Sequence, residues 1–333
     1  MNPFDSLTFL AIVVALAWTY DFFNGMNDAA NAIATTVSTR ALTPSQAIFL
    51  AWSMNVLGAF ITTAVAKTVG KGVVDPSATD QVVVISSLVA ASVWSAACTY
   101  GGIPISITHA LVGGLIGAAG AAHGLGVVKI AGIKKIIFAM LLSPVMGFLG
   151  GYVLLVLIFW AVRNMMPSRV NRVFRFGQIA SASFMALSHG TNDTQNAMGI
   201  ITAALLVGGF IKEFHVPLWV IVGSAFFMGL GTSVGGWRVI RTMGMKVVKL
   251  RPVHGFTAEF SAGAVILIAT LLGAPISTTH VISTAIMGVG ATHRLSAVRW
   301  GVALHIVITW VLTMPGAALL AAGVFELLKW VLA

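Results

Sequence analysis

The chain has 333 residues, 58% of them hydrophobic and only 8% charged; soluble domains carry roughly 25% charged residues, so a water-soluble globular fold is excluded. The formal net charge of +10 would suit nucleic acid, but Lys and Arg gather between apolar stretches, where they act as orientation signals. Cys98 is the single cysteine, which excludes disulfides and paired-cysteine metal or redox sites.

Apolar segments of about 20 residues, long enough for a hydrocarbon core roughly 30 Å thick, recur along the chain. No alternating strand pattern of a β-barrel accompanies them. The fold class is therefore an all-α polytopic membrane protein. The N-terminal MNPFDSL lacks a basic region, so residues 8–20 read as a retained span rather than a cleaved signal. In chain order the predicted segments of the first half are 5–40, 45–66, 82–99 leading into 104–122, and 135–162. Those of the second half are 177–208, 216–234, 255–273 leading into 275–291, and 299–323. Pro104 and Pro275, each two residues after a glycine, are helix stop and start signals. They predict discontinuous helices and two helical hairpins whose tips do not cross the bilayer.

Two polar motifs occur twice in the same order. GMNDAAN (25–31) is matched by GTNDTQN (190–196), with an offset from Asn27 to Asn192 of 192 − 27 = 165. GIPISITH (102–109) is matched by GAPISTTH (273–280), with an offset of 273 − 102 = 171. The repetition indicates gene duplication, with residues 1–165 as one repeat and 176–333 as the other. Three crossings and one hairpin per half invert the second repeat relative to the first. Loop charge agrees. Arg238, Arg241, Lys246, Lys249 and Arg251 have no acid among them in 237–254, whereas Lys67 and Lys71 are balanced by Asp75 and Asp80 in 67–80. The basic stretch 163–175 also falls inside on this topology, with both termini outside. Lys129, Lys134 and Lys135 run against it.

Of nine acids, Asp21, Asp28, Asp193 and Glu259 lie within apolar segments, and no Lys or Arg lies comparably deep. A charge at the bilayer centre costs at least about 2.5–3.5 kcal/mol. Without a basic partner these acids must be protonated or must hold a cation. One such acid is equally well explained by a hydrogen bond between helices; a duplicated pair is not. Carboxylate beside carboxamide offers hard oxygen ligands for a small cation, and Asn31 and Asn196 sit one helical turn beyond Asn27 and Asn192. PISITH and PISTTH instead offer a helix start with serine as cap, free N–H groups and hydroxyls, an arrangement that binds anions. His109 and His280 either donate to that anion or hold the tip; His189, aligned with Asn24, shares the ambiguity. Two such tips from inverted halves, meeting near the midplane beside the acids, predict a joint site for an anion and cations.

These four motif copies resemble the inorganic phosphate transporter (PiT) family, and HGFTAEFSAG (254–263) is similar to its second-half segment with an intramembrane glutamate. The resemblance spans nearly the whole chain. It implies secondary import of inorganic phosphate by symport with sodium or protons, with no other cofactor. Its signature falls on Asn27, Asp28, Asn31, Ser106, Thr108, Asn192, Asp193, Asn196, Ser277, Thr278 and Thr279. Phosphate is accordingly expected at Ser106, Thr108, Ser277, Thr278, Thr279, Asn31 and Asn196. Cation coupling is expected at Asp28, Asn27, Asp193, Asn192, Asp21 and Glu259, with Asp28 and Asp193 holding sodium if sodium is the coupling ion. Ile107 stands where the second half has Thr278, which predicts an asymmetric anion shell, and no long hydrophilic loop separates the halves. The expected partners are phosphate and the lipid bilayer, with a homodimer as one assembly and no nucleic acid. The expected location is a prokaryotic inner membrane. Sulfate, another tetrahedral oxyanion, and simple cation exchange are the competing substrates; the absence of HExxH, GxSxG and P-loop patterns speaks against an enzyme.

Overall fold

The computed structural model describes residues 4–72 and 79–332. Asp75, used in the loop-charge argument, lies outside them, as do the side chains of Lys71 and Lys135. The described residues form helices joined by short turns: α1 (Ser6–Ser38), α2 (Pro44–Gly58), α3 (Ala64–Gly72), α4 (Gln81–Gly101), α5 (Ile107–His123) and α6 (Ile130–Ala161). The second half continues with α7 (Pro167–Asp193), α8 (Gln195–Val207), α9 (Leu218–Val234), α10 (Trp237–Arg241), α11 (Pro252–Leu271), α12 (Thr278–Ala291) and α13 (Trp300–Val331).

Local chemistry sets the boundaries. Asp5 accepts from the N–H groups of Leu7 and Thr8 to start α1, and Thr43 with Gln46 forms a capping box at α2. Gly102 ends α4 at φ 73°, a left-handed conformation that favours glycine. Ser106 and Ser277 then start α5 and α12. Among the described residues five helices, α1, α4, α6, α11 and α13, are long and apolar enough to cross a membrane, and α9 with Trp237–Lys246, bent by 62°, forms either a broken span or a re-entrant loop. At 17 and 14 residues, α5 and α12 rise about 26 and 21 Å, short of the roughly 30 Å hydrocarbon core. Breaks at Pro104 and Pro275 thus join a long arm, α4 or α11, which is long enough to span, to a shorter one, α5 or α12.

Three boundaries differ from the sequence reading. Segment 45–66 divides into α2 and α3. The basic stretch 237–254 is not all loop, because α10 and a π-helical turn (Thr242–Lys246) occupy its first part. Val239, Ile240 and Met243, at helical spacing, bury themselves against α1 while the arginines point outward. Likewise Arg169, Arg172 and Arg175 belong to α7, which begins at Pro167, a proline suited to a first helical position.

The third difference lies in the motif itself. Segment 177–208 is interrupted at Thr194, between α7 and α8, whereas its counterpart in α1 runs unbroken. Thr194 Oγ1 donates to Gly190 O at 2.5 Å and Gln195 Nε2 donates to Thr191 O at 2.5 Å. Such bonds to the i−4 carbonyl also occur in unbroken stretches, at Thr202 and Thr257, so they accompany the break without by themselves producing it. The first copy has Ala29 and Ala30 at these positions.

Packing between the halves is reciprocal. α1 packs chiefly on α9 and α2 on α7, while α5 packs on α13 and α12 on α6. Gly25 and Gly190, which open the two Asn-Asp motifs, explain the first two contacts. A Cβ on Gly25 would collide with the backbone carbonyl of Met228, and one on Gly190 with that of Asn55. Only glycine lets these backbones touch, and in lipid such close approach supplies much of the helix–helix attraction.

Candidate functional site

The two motif types meet across the halves. Thr279 Oγ1 donates to Asp28 Oδ1 and Thr278 Oγ1 donates to Asp193 Oδ2, each at 2.9 Å. Asn31 Nδ2 donates to Thr279 Oγ1 at 3.0 Å, and Asn196 Nδ2 donates to Thr108 Oγ1 at 2.9 Å. All of these side chains are buried. The second hairpin therefore donates to both carboxylates, while the first meets only carboxamides, Asn196 at Thr108 and Asn27 at Thr99 and Ile103 O. Ile107, which has no hydroxyl, is one source of that asymmetry; the other is that Thr108 pairs with a carboxamide.

Each hairpin tip has the same geometry. Ser106 (φ −89°, ψ 108°) accepts from His109 N at 3.3 Å, and Ser277 (φ −86°, ψ 106°) accepts from His280 N at 3.2 Å. Each serine keeps its hydroxyl hydrogen for another acceptor, and the first N–H groups of α5 and α12 have no intrahelical partner. The rings of His109 and His280 pack together with centroids 5.1 Å apart, and His280 stacks on Trp310 at 3.9 Å. Trp310 Nε1 donates to Pro104 O at 3.2 Å. These contacts tie the two tips to each other and to α13.

The acids do not form one group of four. Asp28, Asp193 and His189 converge, each offering a ligand atom within 4.8 Å of the others. His189 Nε2 lies 3.2 Å from Asp193 Oδ2 and 3.7 Å from Asp28 Oδ2. Its Nδ1 faces Asn55 Oδ1 at 3.0 Å, which orients the ring. The acid pair thus has a basic partner after all, an imidazole that a search restricted to Lys and Arg passes over. With a charged imidazole the cluster carries one net negative charge, and with a neutral one, two.

Glu259 sits elsewhere and is saturated. It accepts from Thr35 at 2.5 Å, Thr36 at 2.8 Å, Gln178 at 3.0 Å and Ser181 at 2.5 Å. Thr35 is seven residues beyond Asp28, about 10 Å along α1. Asp21 lies as far in the other direction and is the opposite case: neither carboxylate oxygen has a partner, although the side chain is fully buried.

The asparagines show how hard ligands are presented. Asn27 Nδ2 donates to Thr99 Oγ1 at 2.8 Å, and Asn192 Nδ2 donates to Thr270 Oγ1 at 2.7 Å. Both threonines are held by their own helices, through Ser95 O at 2.7 Å and Ile266 O at 2.8 Å. Tying back the amide nitrogen leaves the carboxamide oxygen as the free end. Asn24, Asn27, Asn31 and Asn196 each have a buried Oδ1 without a donor, as does Asp193 at Oδ1. A buried acceptor left unpaired costs about 1–3 kcal/mol, and a cluster of oxygen acceptors suits a small hard cation.

Sequence reading misses Thr99 and Thr270, although their spacing, 270 − 99 = 171, equals the offset of the hairpin motif and could have found them. Asn55, Gln178 and Ser181 occur once each and carry no such signal. The placement of Asn27, Asp28, Asn31, Asn192, Asp193 and Asn196 with Ser106, Thr108, Ser277, Thr278 and Thr279 brings the two motif sets together. Asp21 and Glu259 remain to either side.

A model of the phosphate transporter family matches residues 24–321. A Bacillus subtilis protein named "probable low-affinity inorganic phosphate transporter" is 45% identical over 98% of this chain and 98% of its own. A Rhizobium meliloti protein of the same name is 44% identical over 93% of each. A solved structure titled "The sodium-dependent phosphate transporter" superposes with a TM-score of 0.89 at 30% identity, covering 97% of this chain and 99% of that one. This multi-pass helical membrane protein belongs to the phosphate transporter family.

Proposed function

We propose that the protein imports inorganic phosphate by symport with sodium, through alternating access of one central site. The family supports phosphate, and the likeness to a sodium-dependent transporter supports sodium over protons. The observation that carries the reading is the meeting of two opposite chemistries. Serine-capped helix starts supply donors and a positive dipole end for an oxyanion. Buried, donor-less carboxamide and carboxylate oxygens beside them supply a cation site. In this reading Ser106, Thr108, Ser277, Thr278 and Thr279 bind phosphate together with Asn31 and Asn196, whose amide N–H groups turn to it from Thr279 and Thr108, and Asp28, Asp193, Asn27 and Asn192 bind sodium. Asp21 contributes a second, more distant charge, and Glu259 orders α1 against α7 and α11 near that site.

Reciprocal packing of α1 with α9 and α2 with α7, and of α5 with α13 and α12 with α6, supports inverted repeats over 1–165 and 176–333. The basic loops then face the cytoplasm of a prokaryotic cell, with both termini outside. Two bound partners of opposite charge also explain coupling. Phosphate alone beside two carboxylates is repelled, and sodium removes the repulsion. The test is uptake of labelled phosphate into proteoliposomes under separately imposed sodium and proton gradients, with sulfate as competitor. Uptake that follows the sodium gradient and resists sulfate supports the proposal; uptake driven by the proton gradient alone rejects sodium coupling.

A further inference from the structure

Away from the central site, cations converge in one place. Lys249, Arg251, His293, Arg294 and Arg299 surround a cavity of about 520 Å³ where α11 and α13 begin and α12 ends. No acid lines it, and among the described residues none of these cations takes part in an ion pair. Arg251 and Arg299 occupy the cap positions of α11 and α13, so both cations stand at helix starts, and His254 Nδ1 accepts from Arg251 N at 3.3 Å. Orientation signals need only lie on the correct side of the membrane; they do not need to share a cavity. Bringing like charges together is unfavourable unless an anion joins them.

The cavity has an apolar neighbour. Arg251, His254 and Phe159 also border a second cavity of about 270 Å³, otherwise walled largely by Val162, Met165, Pro167, Val170 and Val253. The His254 ring meets Phe159 edge-on at 6.3 Å between the two. Beside them Arg163 lies over the exposed ring of Trp160, 5.2 Å from its centroid. A tryptophan with a cation above it marks the headgroup level of a bilayer. A cationic cavity joined at that level to an apolar one matches a molecule with an anionic head and a hydrocarbon tail.

We propose that the double cavity binds an anionic phospholipid, its phosphate held by Arg251, Arg294 and Arg299 and the start of one acyl chain in the apolar cavity. The site bears on transport through α12, which ends just before His293 and carries Thr278 and Thr279 at its other end.

The test is native mass spectrometry of the purified full chain in mixed micelles, comparing retained phosphatidylglycerol with phosphatidylcholine. Wild type should retain phosphatidylglycerol at least tenfold better. The variant Arg251→Gln/Arg294→Gln/Arg299→Gln should lose that preference, while Lys134→Gln/Arg169→Gln/Lys212→Gln, with equal charge loss elsewhere, should keep it within twofold. Val162→Trp fills the apolar cavity with every charge in place and should also weaken retention severalfold; it carries the test alone if the triple variant does not fold. Millimolar inorganic phosphate should not displace the lipid. Unchanged retention in the triple variant or in Val162→Trp would overturn the proposal. So would equal loss in the charge-matched control, or displacement by inorganic phosphate, which would mark a free-anion site.

Discussion

Replacing Thr279 with valine keeps the shape of the side chain and removes two hydrogen bonds at once. Its hydroxyl donates to Asp28 Oδ1 at 2.9 Å and accepts from Asn31 Nδ2 at 3.0 Å. A hydrogen bond to a charged group contributes about 1.5–3 kcal/mol and a neutral one about 0.5–1.5 kcal/mol. Their loss takes about 2–4 kcal/mol from the organisation of the site, which sets an upper bound of about 30-fold to several hundred-fold on the loss of affinity. Thr108, the equivalent position in the first hairpin, has one neutral bond, from Asn196 Nδ2 at 2.9 Å. Thr108→Val should therefore cost about 1 kcal/mol, roughly fivefold. Initial-rate uptake in proteoliposomes at varied phosphate and varied cation gives both apparent constants for each variant. Thr279→Val should weaken both, because the hydroxyl that serves the anion also positions Asp28. A Thr108→Val defect as large as that of Thr279→Val would refute the asymmetric site, and wild-type constants in both would make the hairpin tips structural.

Asp28→Asn and Asp193→Asn should each abolish coupled uptake while the protein still inserts and elutes normally; cation dependence like that of wild type in either would exclude the carboxylate pair as the cation site. Gly190→Ala places a Cβ against Asn55 O, and overpacking of this kind costs about 1–3 kcal/mol, so the purified variant should melt several degrees lower. Gly323→Ala, where a Cβ meets nothing within 4 Å, should not. Cysteines at Ile105 and Ile276 in a Cys98→Ser background start buried, so labelling reports opening. Impermeant reagent from outside should favour position 105 and from inside position 276, with phosphate and sodium protecting both. Equal labelling of 276 from outside, unaffected by substrate, would contradict inverted hairpins.

The sequence carries the repeat because hydrophobic length, proline position and the Asn-Asp motifs are all one-dimensional signals. The pairing of Asp28 with Thr279 and of Asn196 with Thr108 follows once the motifs are made to face each other across the halves, whereas Asp193 meets Thr278 within its own half. What the sequence hides is which polar residue in an apolar helix faces which neighbour. Asp21 and Glu259 look equivalent as isolated acids, yet one has no partner and the other has four donors, two from α1 and two from α7. His189 reads as a motif variant until Asn55, from another helix, fixes its ring between the carboxylates. The helix break at Thr194 falls inside the predicted segment 177–208, where apolar periodicity does not register it. In α10, burial of Val239, Ile240 and Met243 outweighed the surrounding charge.

Cation-assisted anion binding is the central claim, and equilibrium binding tests it without the complications of transport. Labelled phosphate is titrated against purified wild type and Asp193→Asn at a series of sodium concentrations, with choline holding ionic strength constant. By linkage, sodium that binds beside the phosphate must raise phosphate affinity. The account predicts a wild-type Kd that falls as sodium rises and an Asp193→Asn Kd that is weak and indifferent to sodium. Phosphate affinity independent of sodium in the wild type, or equally sodium-dependent in the variant, would contradict it.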